Sequence, residues 1–258
     1  MIGLEYRMQA FINPSDHRAL IVDTSAGLSL GALPGLEHFT QAVRTILPHA
    51  NGVVCSPGQI TRLTQLVRQD AGLLVRMDWN NTLRSDSLVL PMSTPHRVPL
   101  LSVQDALDLG AVGMVNTFLL GFEEAIEAAC LRSTVHFALE GKSLGIPLIV
   151  DVQPTGPRVS LPGKAVELGV SYALEGGAEA VALPYPGSTS LKTISQFCSI
   201  PWFIKPTTPE EIQAVLQETL SLGGAGLYLD HSVFTQPDPA NYLDELLGLV
   251  HQPAAAVQ

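Results

Sequence analysis

Residues 146–154 read IPLIVDVQP and residues 200–208 read IPWFIKPTT. Each is an unbroken apolar run that closes on polar residues. Six more runs of the same kind accompany them: ALIVDTS from Ala19, GVVCSPG from Gly52, GLLVRMDWN from Gly72, VGMVNTFLLG from Val112, AEAVALPYPG from Ala178 and AGLYLDHSVF from Ala225. Continuous apolar runs suit parallel strands buried on both faces, whereas an antiparallel sheet with one wet face would alternate. A helix-like segment follows each run. Eight such units within 258 residues are the expected size of a single (β/α)8 barrel, a TIM barrel, occupying 1–258 with its core over about 18–251. Such barrels place their chemistry on the loops after the strands, which narrows the search for a site to eight short stretches.

Composition agrees with a barrel whose strands are dry on both faces: 15% of residues are charged and 46% hydrophobic. No stretch of eighteen apolar residues appears, so no membrane partner is expected. The start, MIGLEYRMQAF, carries Glu5 and Arg7 and does not read as a signal peptide. Cys55, Cys130 and Cys198 are odd in number and far apart, which fits reduced thiols and a cytoplasmic location. A net charge of −10 without a Lys/Arg cluster argues against nucleic-acid binding. The expected partners are a small molecule and further copies of the chain, as a homo-oligomer.

Punctuation along the chain supports the unit count. A Gly-rich loop, GLSLGALPG, leads into a helix from about Leu36 to Leu47, and a second helix runs from about Gln59 to Gln69. Ser102 caps the helix SVQDALDLGA, and FEEAIEAACLRSTVHFALEGKSLG stops at Gly145. PGKAVELGVSYALEGG stops at Gly176–Gly177; TPEEIQAVLQETLSLGG has Thr208 as cap and Pro at its first position; the last helix spans about Ala240 to His251, with PAAAVQ frayed beyond it. The longest irregular stretch, 81–100, holds Pro91, Pro95 and Pro99 and reads as a lid over the site or as a surface insertion.

Charge gathers at the strand ends. Asp23, Arg76, Asp78, Asp151, Lys205, Asp230 and His231 all fall there, and alternation puts Asp151 with Gln153, and Arg76 with Asp78 and Asn80, on common faces. Unpaired buried charge costs several kcal/mol, so these residues need partners or a purpose. Lys205, flanked by bulky apolar groups in WFIKPTT, reads either as an amine activated by an apolar pocket or as half of an ion pair bracing the barrel mouth. Asp151 or Asp230 would serve as its general acid/base, and His231 as a proton shuttle or a loop histidine. Arg76 would hold a substrate carboxylate or pair with Asp78 or Asp23. Asp23, Asp78, Asp151 and Asp230 are also the set that would gather Mg²⁺, although no ligand spacing supports a metal and no cofactor is expected. In the GSTS run, Ser188 stands at a helix N-terminus, where it would hold an anion or simply cap the helix.

The wording of these units resembles the DeoC/class I aldolase superfamily, in its archaeal-type fructose-bisphosphate aldolase branch with the LsrF-like thiolases, over roughly Arg18 to His251. ALIVDTS resembles the branch's A-x-D-H-G strand, GLLVRMD its L-x-L-K-L-D, and SVQDALDLGAVGM its S-V-E-D-A-V-R-L-G-A-D-A-V. LGIPLIVDVQPTGPR, GGAEAVALPYPG and AGLYLDHSVFTQPDP resemble its fifth, sixth and eighth units. The resemblance implies a Schiff-base lysine at the end of the sixth strand, where this chain has Ala182, and a proton-shuttling tyrosine at Gln153. It implies a conserved aspartate at Asp23. It also implies a phosphate site at Pro206-Thr207 and Asp230-His231, where proline lacks an N–H and Asp230 adds a negative charge. A second active-site lysine of the deoxyribose-phosphate aldolase relatives aligns at Phe203, one inward step before Lys205. The expectation is therefore a diverged aldolase-like carbon–carbon lyase or transferase acting on a small carbonyl compound. Lys205, Asp23, Asp151, Asp230 and His231 would be catalytic, and Arg76, Asp78, Gln153 and Ser188 would bind substrate. The alternative is a non-catalytic pseudoaldolase serving as a ligand-binding or assembly module.

Overall fold

The computed structural model describes residues 2–63, 71–86, 88, 90–206, 208 and 211–252. Eight parallel strands close a barrel: β1 (Ala19–Asp23), β2 (Gly52–Cys55), β3 (Gly72–Arg76), β6 (Gly113–Leu119), β7 (Leu148–Gln153), β8 (Ala180–Pro184), β9 (Trp202–Lys205) and β10 (Gly226–Leu229), each beside its neighbour in that sequence, with β10 returning to β1. The fold is the expected TIM barrel. Every residue of β1, β2, β3, β6 and β10 is buried, which is why those segments read as unbroken apolar runs. Around the barrel lie α3 (Phe39–Ile46), α4 (Pro57–Leu63), α5 (Val103–Asp108), α6 (Glu124–Leu144), α7 (Pro162–Glu175), α8 (Ser188–Phe197), α9 (Ile212–Ser221) and α10 (Pro239–Val250).

Several stop and start signals act as read. Ser102 accepts from the Asp105 N–H while the Asp105 carboxylate accepts from the Ser102 N–H, a reciprocal box at the head of α5. Gly145 closes α6 in the left-handed conformation, φ 75°, which a side chain would strain. Helix α3 begins later than expected, at Phe39, because Gly27–Leu30 (α2) coils a first turn inside the Gly-rich loop. Helix α4 begins at Pro57, before Gln59, and the rest of its expected span, 64–70, lies outside the described residues. Helix α9 begins at Ile212 rather than at a Thr208 cap, and 207, 209 and 210 also lie outside them, as does the PAAAVQ tail.

Two corrections bear on the site. GLLVRMDWN is not one strand. The chain leaves the barrel at Met77, and Asp78–Asn80 (β4) turns to pair antiparallel with Arg97–Pro99 (β5). The segment 81–100 is consequently not irregular throughout. Its ends are pinned by the Arg97 guanidinium, which donates to Asp78 at 3.0 Å, to Ser133 Oγ at 3.0 Å and to Asn116 Oδ1. This polar cluster lies between β6 and α6, so Asp78 does not share the barrel interior with Arg76.

The second correction is at the other end of the barrel, where sequence assigned no element. Ile2–Met8 forms a short helix, α1, and the chain then inserts Phe11 into the barrel floor. Phe11 is fully buried among Ile21, Leu74, Val115, Ile149 and Phe203. Glycine at position 72 makes room for it, since a Cβ there would lie 2.8 Å from Phe11 Cβ and 2.7 Å from the Ala10 carbonyl oxygen. The floor is thus apolar and sealed, and polar interior side chains collect at the opposite end.

Candidate active site

A cleft of about 410 Å³ opens at the C-terminal ends of the strands. Alternation along the strands brings Asp23, Arg76, Thr117, Asp151, Lys205 and Tyr228 to its base. Arg76 is the hub. Its Nη2 donates to Asp23 and, at 3.0 Å, to the Tyr228 hydroxyl; its Nη1 donates to Thr117 Oγ1 at 3.1 Å and to Asp151 Oδ2 at 3.2 Å; its Nε donates to Ser25 Oγ at 3.1 Å. Asp23 also accepts from the Ser25 N–H at 2.8 Å and from the Tyr228 hydroxyl at 2.7 Å. A guanidinium this deep stands against the cost of burial because two carboxylates and a phenol surround it, and those neighbours hold its pKa well above its ordinary value.

Lys205 joins the other side of the network. Its ammonium pairs with Asp151 Oδ1 and donates to the Val152 carbonyl at 3.2 Å. The apolar pocket suggested by WFIKPTT is therefore not what surrounds the amine: Trp202, Phe203 and Ile204 are buried, while the lysine head reaches across β8 to a carboxylate on β7. Burial works to raise the Asp151 pKa, but the Lys205 ammonium and then the Arg76 guanidinium outweigh it and hold it below the usual carboxylate value. Burial pushes the Tyr228 phenol well above 10 despite Arg76, with Asp23 adding to the effect, so the phenol stays a proton donor to Asp23. The Cys55 thiol, pushed up to about 12 mainly by burial, is inert beside this network.

The remaining expected residues divide. Gln153 lines the cleft, its amide donating to Asp151 Oδ2 at 2.9 Å while its Oε1 has no partner. Asp230 and His231 stand at the rim. The Asp230 carboxylate caps the short 3-10 turn His231–Thr235 by accepting from the Ser232 N–H at 2.9 Å, and His231 Nδ1 is buried without a partner. Asp78 touches the cleft wall, but its side chain is fully enclosed, one oxygen held by Arg97 and the other by the Thr117 N–H at 2.9 Å. It is placed to brace the wall rather than to receive substrate. Ser188 is not part of the cleft lining; it bonds the Tyr185 hydroxyl at 3.1 Å at the head of α8.

The four aspartates considered for Mg²⁺ do not converge. Arg76 stands between Asp23 and Asp151, Arg97 holds Asp78, and Asp230 is spent on a turn. Among the described residues no group of three His, Cys, Asp or Glu side chains is placed to hold a metal ion. Tyr228, Ser25, Thr117 and Arg97 were not anticipated. Tyr228 carried a signal, since it lies two residues before Asp230 and so on the same face of its strand.

Ala182 occupies the interior of β8, in register between Asp151 on β7 and Phe203 on β9. Lys205 pairs in register with Pro184, one strand over and two residues further toward the cleft.

No protein-family model matches the chain. An uncharacterised aldolase of Saccharolobus solfataricus is 25% identical over 266 residues, spanning 98% of this chain and 96% of that protein. The 2-amino-3,7-dideoxy-D-threo-hept-6-ulosonate synthase of Halobacterium salinarum is 26% identical over 247 residues, spanning 93% and 89%. A solved Schiff-base-forming fructose-1,6-bisphosphate aldolase superposes with a TM-score of 0.79 at 18% identity, covering 96% of this chain and all of that one, and so matches in fold. Along nearly its whole length the chain is thus similar in sequence to proteins named as an aldolase and a hept-6-ulosonate synthase, and it shares the barrel of a Schiff-base-forming aldolase.

Proposed function

We propose that the protein is an aldolase-like lyase or transferase that breaks or forms a carbon–carbon bond of a small carbonyl compound, with Lys205 as its imine-forming amine. The observation that carries this reading is the position of the Lys205 ammonium. The Lys205 backbone lies on the strand beside Ala182, about 6–7 Å further toward the cleft along the strand direction and about 5 Å across, and its ammonium reaches back over β8 to Asp151, which is in register with Ala182. Two of its three protons have partners, and its side chain is 22% exposed in the cleft.

Asp151, already bonded to Lys205, takes a proton from the ammonium and frees the lone pair for attack on the carbonyl carbon. The carbinolamine loses its oxygen as water, the proton returning from Asp151, which leaves an iminium on Lys205. The iminium nitrogen then receives the electron pair of the breaking carbon–carbon bond. The proton of the substrate's β-hydroxyl passes to a rim base, a role this reading gives to Asp230 or His231, both of which line the cleft. Protonation of the resulting enamine and hydrolysis by one water restore the lysine. Arg76 fixes the orientation of Asp151 throughout.

A binding module without turnover is the second reading. It is favoured by the amide at Gln153 and by the ion pair that engages Lys205 at rest. Self-association is supported separately by the outer face of α6, where Leu131, Val135 and Leu139 lie 37%, 37% and 66% exposed in one stripe.

Borohydride trapping separates the two functional readings. Wild type and Lys205→Met are incubated with aldehydes, ketones and 2-oxo acids, reduced, and read by intact mass and peptide mapping. A reduced adduct on Lys205 supports the enzyme; adducts confined to surface amines, equal in both proteins, leave the binding module.

A further inference from the structure

We infer that this cleft, taken as the site of the reaction proposed above, is built for an uncharged carbonyl compound with an apolar substituent and discriminates against phosphorylated ones. Three independent features of the lining lead there.

The first is charge. Arg97 neutralises Asp78 from behind the wall. The carboxylates left facing the cleft are Asp23, Asp151 and Asp230, and the cationic lining residues are Arg76 and Lys205, both bonded to carboxylates already. Among the described lining residues no Lys or Arg is left to meet a dianion, while Asp230 stands exposed at the rim. An incoming phosphate would gain no counter-charge and would meet like charge.

The second is the supply of backbone donors. Barrels of this type commonly seat a phosphate on the loops after the seventh and eighth strands, with the N-terminus of a short extra helix. The loop after β9 starts at Pro206, which has no N–H. The short turn after β10 is present, but Asp230 fills its N-terminus by accepting from the Ser232 N–H. The chain's own carboxylate stands where an external anion would need to be.

The third is the wall. Leu28 and Leu30 from α2, Leu83 from the β4–β5 connection, Ile212 from α9 and Val233 from the turn after β10 line the cleft. Hydrocarbon on both sides gains from covering an alkyl or aryl group at about 25 cal/mol per Å² removed from water.

The test uses matched probes on the intact chain. Glyceraldehyde and glyceraldehyde 3-phosphate, dihydroxyacetone and its phosphate, and benzaldehyde and 2-pentanone are each titrated under borohydride, and the half-saturating concentration for adduct on Lys205 is read by peptide mass. The expected result is half-saturation at least about tenfold lower for each neutral member of a pair than for its phosphate ester, and lowest for the apolar probes. Asp230→Asn is expected to narrow the gap within each pair, and Leu83→Ala to weaken the apolar probes alone. Adducts that form as readily with the phosphate esters overturn this inference and leave the lysine chemistry standing. No adduct on Lys205 with any probe overturns the lysine chemistry instead. Calorimetric titration of the same pairs then decides the inference: binding of the neutral compounds alone supports it, and binding of the phosphate esters, or of nothing, overturns it.

Discussion

Lys205 on β9 reaches across β8, the strand that carries Ala182, and pairs with Asp151 on β7. Asp151 does not depend on that one partner, because its second oxygen accepts from Arg76 and from the Gln153 amide. The converse is not true. Remove the carboxylate and, among the described residues, Lys205 keeps the Val152 carbonyl as its hydrogen-bond partner, while Arg76 keeps Asp23 as its ion-pair partner.

The two single variants should therefore differ. Asp151→Asn leaves a cation short of its partner deep in the barrel and is expected to cost about 2–4 kcal/mol. Lys205→Met removes a partly exposed head from a carboxylate that stays paired, and is expected to cost about 1 kcal/mol. Urea unfolding of both checks the order. Equal losses would mean that Arg76 contributes nothing to holding Asp151.

How much of this was legible follows from where each constraint lies. Burial of a strand on both faces is written within the strand, so the barrel could be read from eight apolar runs. Caps are equally local, and Ser102 with Asp105 needs only four residues to be recognised. Of the two readings of Lys205, the ion pair holds and the apolar pocket does not: Trp202 to Ile204 pack below it, while its carboxylate partner comes from a strand more than fifty residues earlier, which the local sequence could not name. Arg97 sat unnoticed between prolines, since its value depends on Asp78 and Asn116, which the hairpin brings to it. Phe11 gave no signal either, because a single aromatic residue entering the barrel floor has no periodicity.

The Asp151 ion pairs also set an acid limit. Its folded pKa lies below the unfolded value of 3.8, so its contribution to stability is fully present above that value and is lost as pH falls through the depressed folded one. Unfolding free energy of the wild type should fall across that acid range more steeply than that of Asp151→Asn. Parallel profiles for the two proteins would remove Asp151 as the source.

Glu179 gives the opposite sign. Burial raises its pKa above 4.5, although the Leu148 N–H and Lys142 act to lower it. Its ionisation therefore opposes folding at neutral pH, and that penalty disappears as pH falls below the unfolded value. Glu179→Gln, which retains an oxygen for the Leu148 N–H at 2.9 Å, is expected to be neutral or to stabilise by up to about 1 kcal/mol at pH 7. The gain should vanish at acid pH in thermal unfolding; a gain that persists there has another cause.

The α6 stripe is tested by one charge. Leu139→Glu places a carboxylate at the most exposed position of the stripe, where it costs little in an isolated subunit. If copies associate through this face, light scattering on the eluting protein should show a smaller mass for the variant than for wild type, with circular dichroism unchanged. The same mass for both assigns any association to another surface.

Arg97 decides whether the cleft wall holds its shape. Its side chain and that of Asp78 are 1% and 0% exposed, and the guanidinium also donates to Asn116 and Ser133. Arg97→Met leaves Asp78 enclosed without its ion-pair partner and with the Thr117 N–H to bond, so a loss of about 3–5 kcal/mol is expected. Adding Asp78→Asn removes the stranded charge, and the double variant should recover part of that loss, giving a coupling energy of roughly 1–3 kcal/mol in a double-mutant cycle. The cycle also separates the wall from the chemistry. Arg97 is absent from the cleft lining, so the double variant should keep Lys205 reactive toward borohydride trapping while weakening probes that rest on Leu83, which the β4–β5 connection carries. Additive losses would mean that the ribbon is held by its backbone pairing with no help from the ion pair.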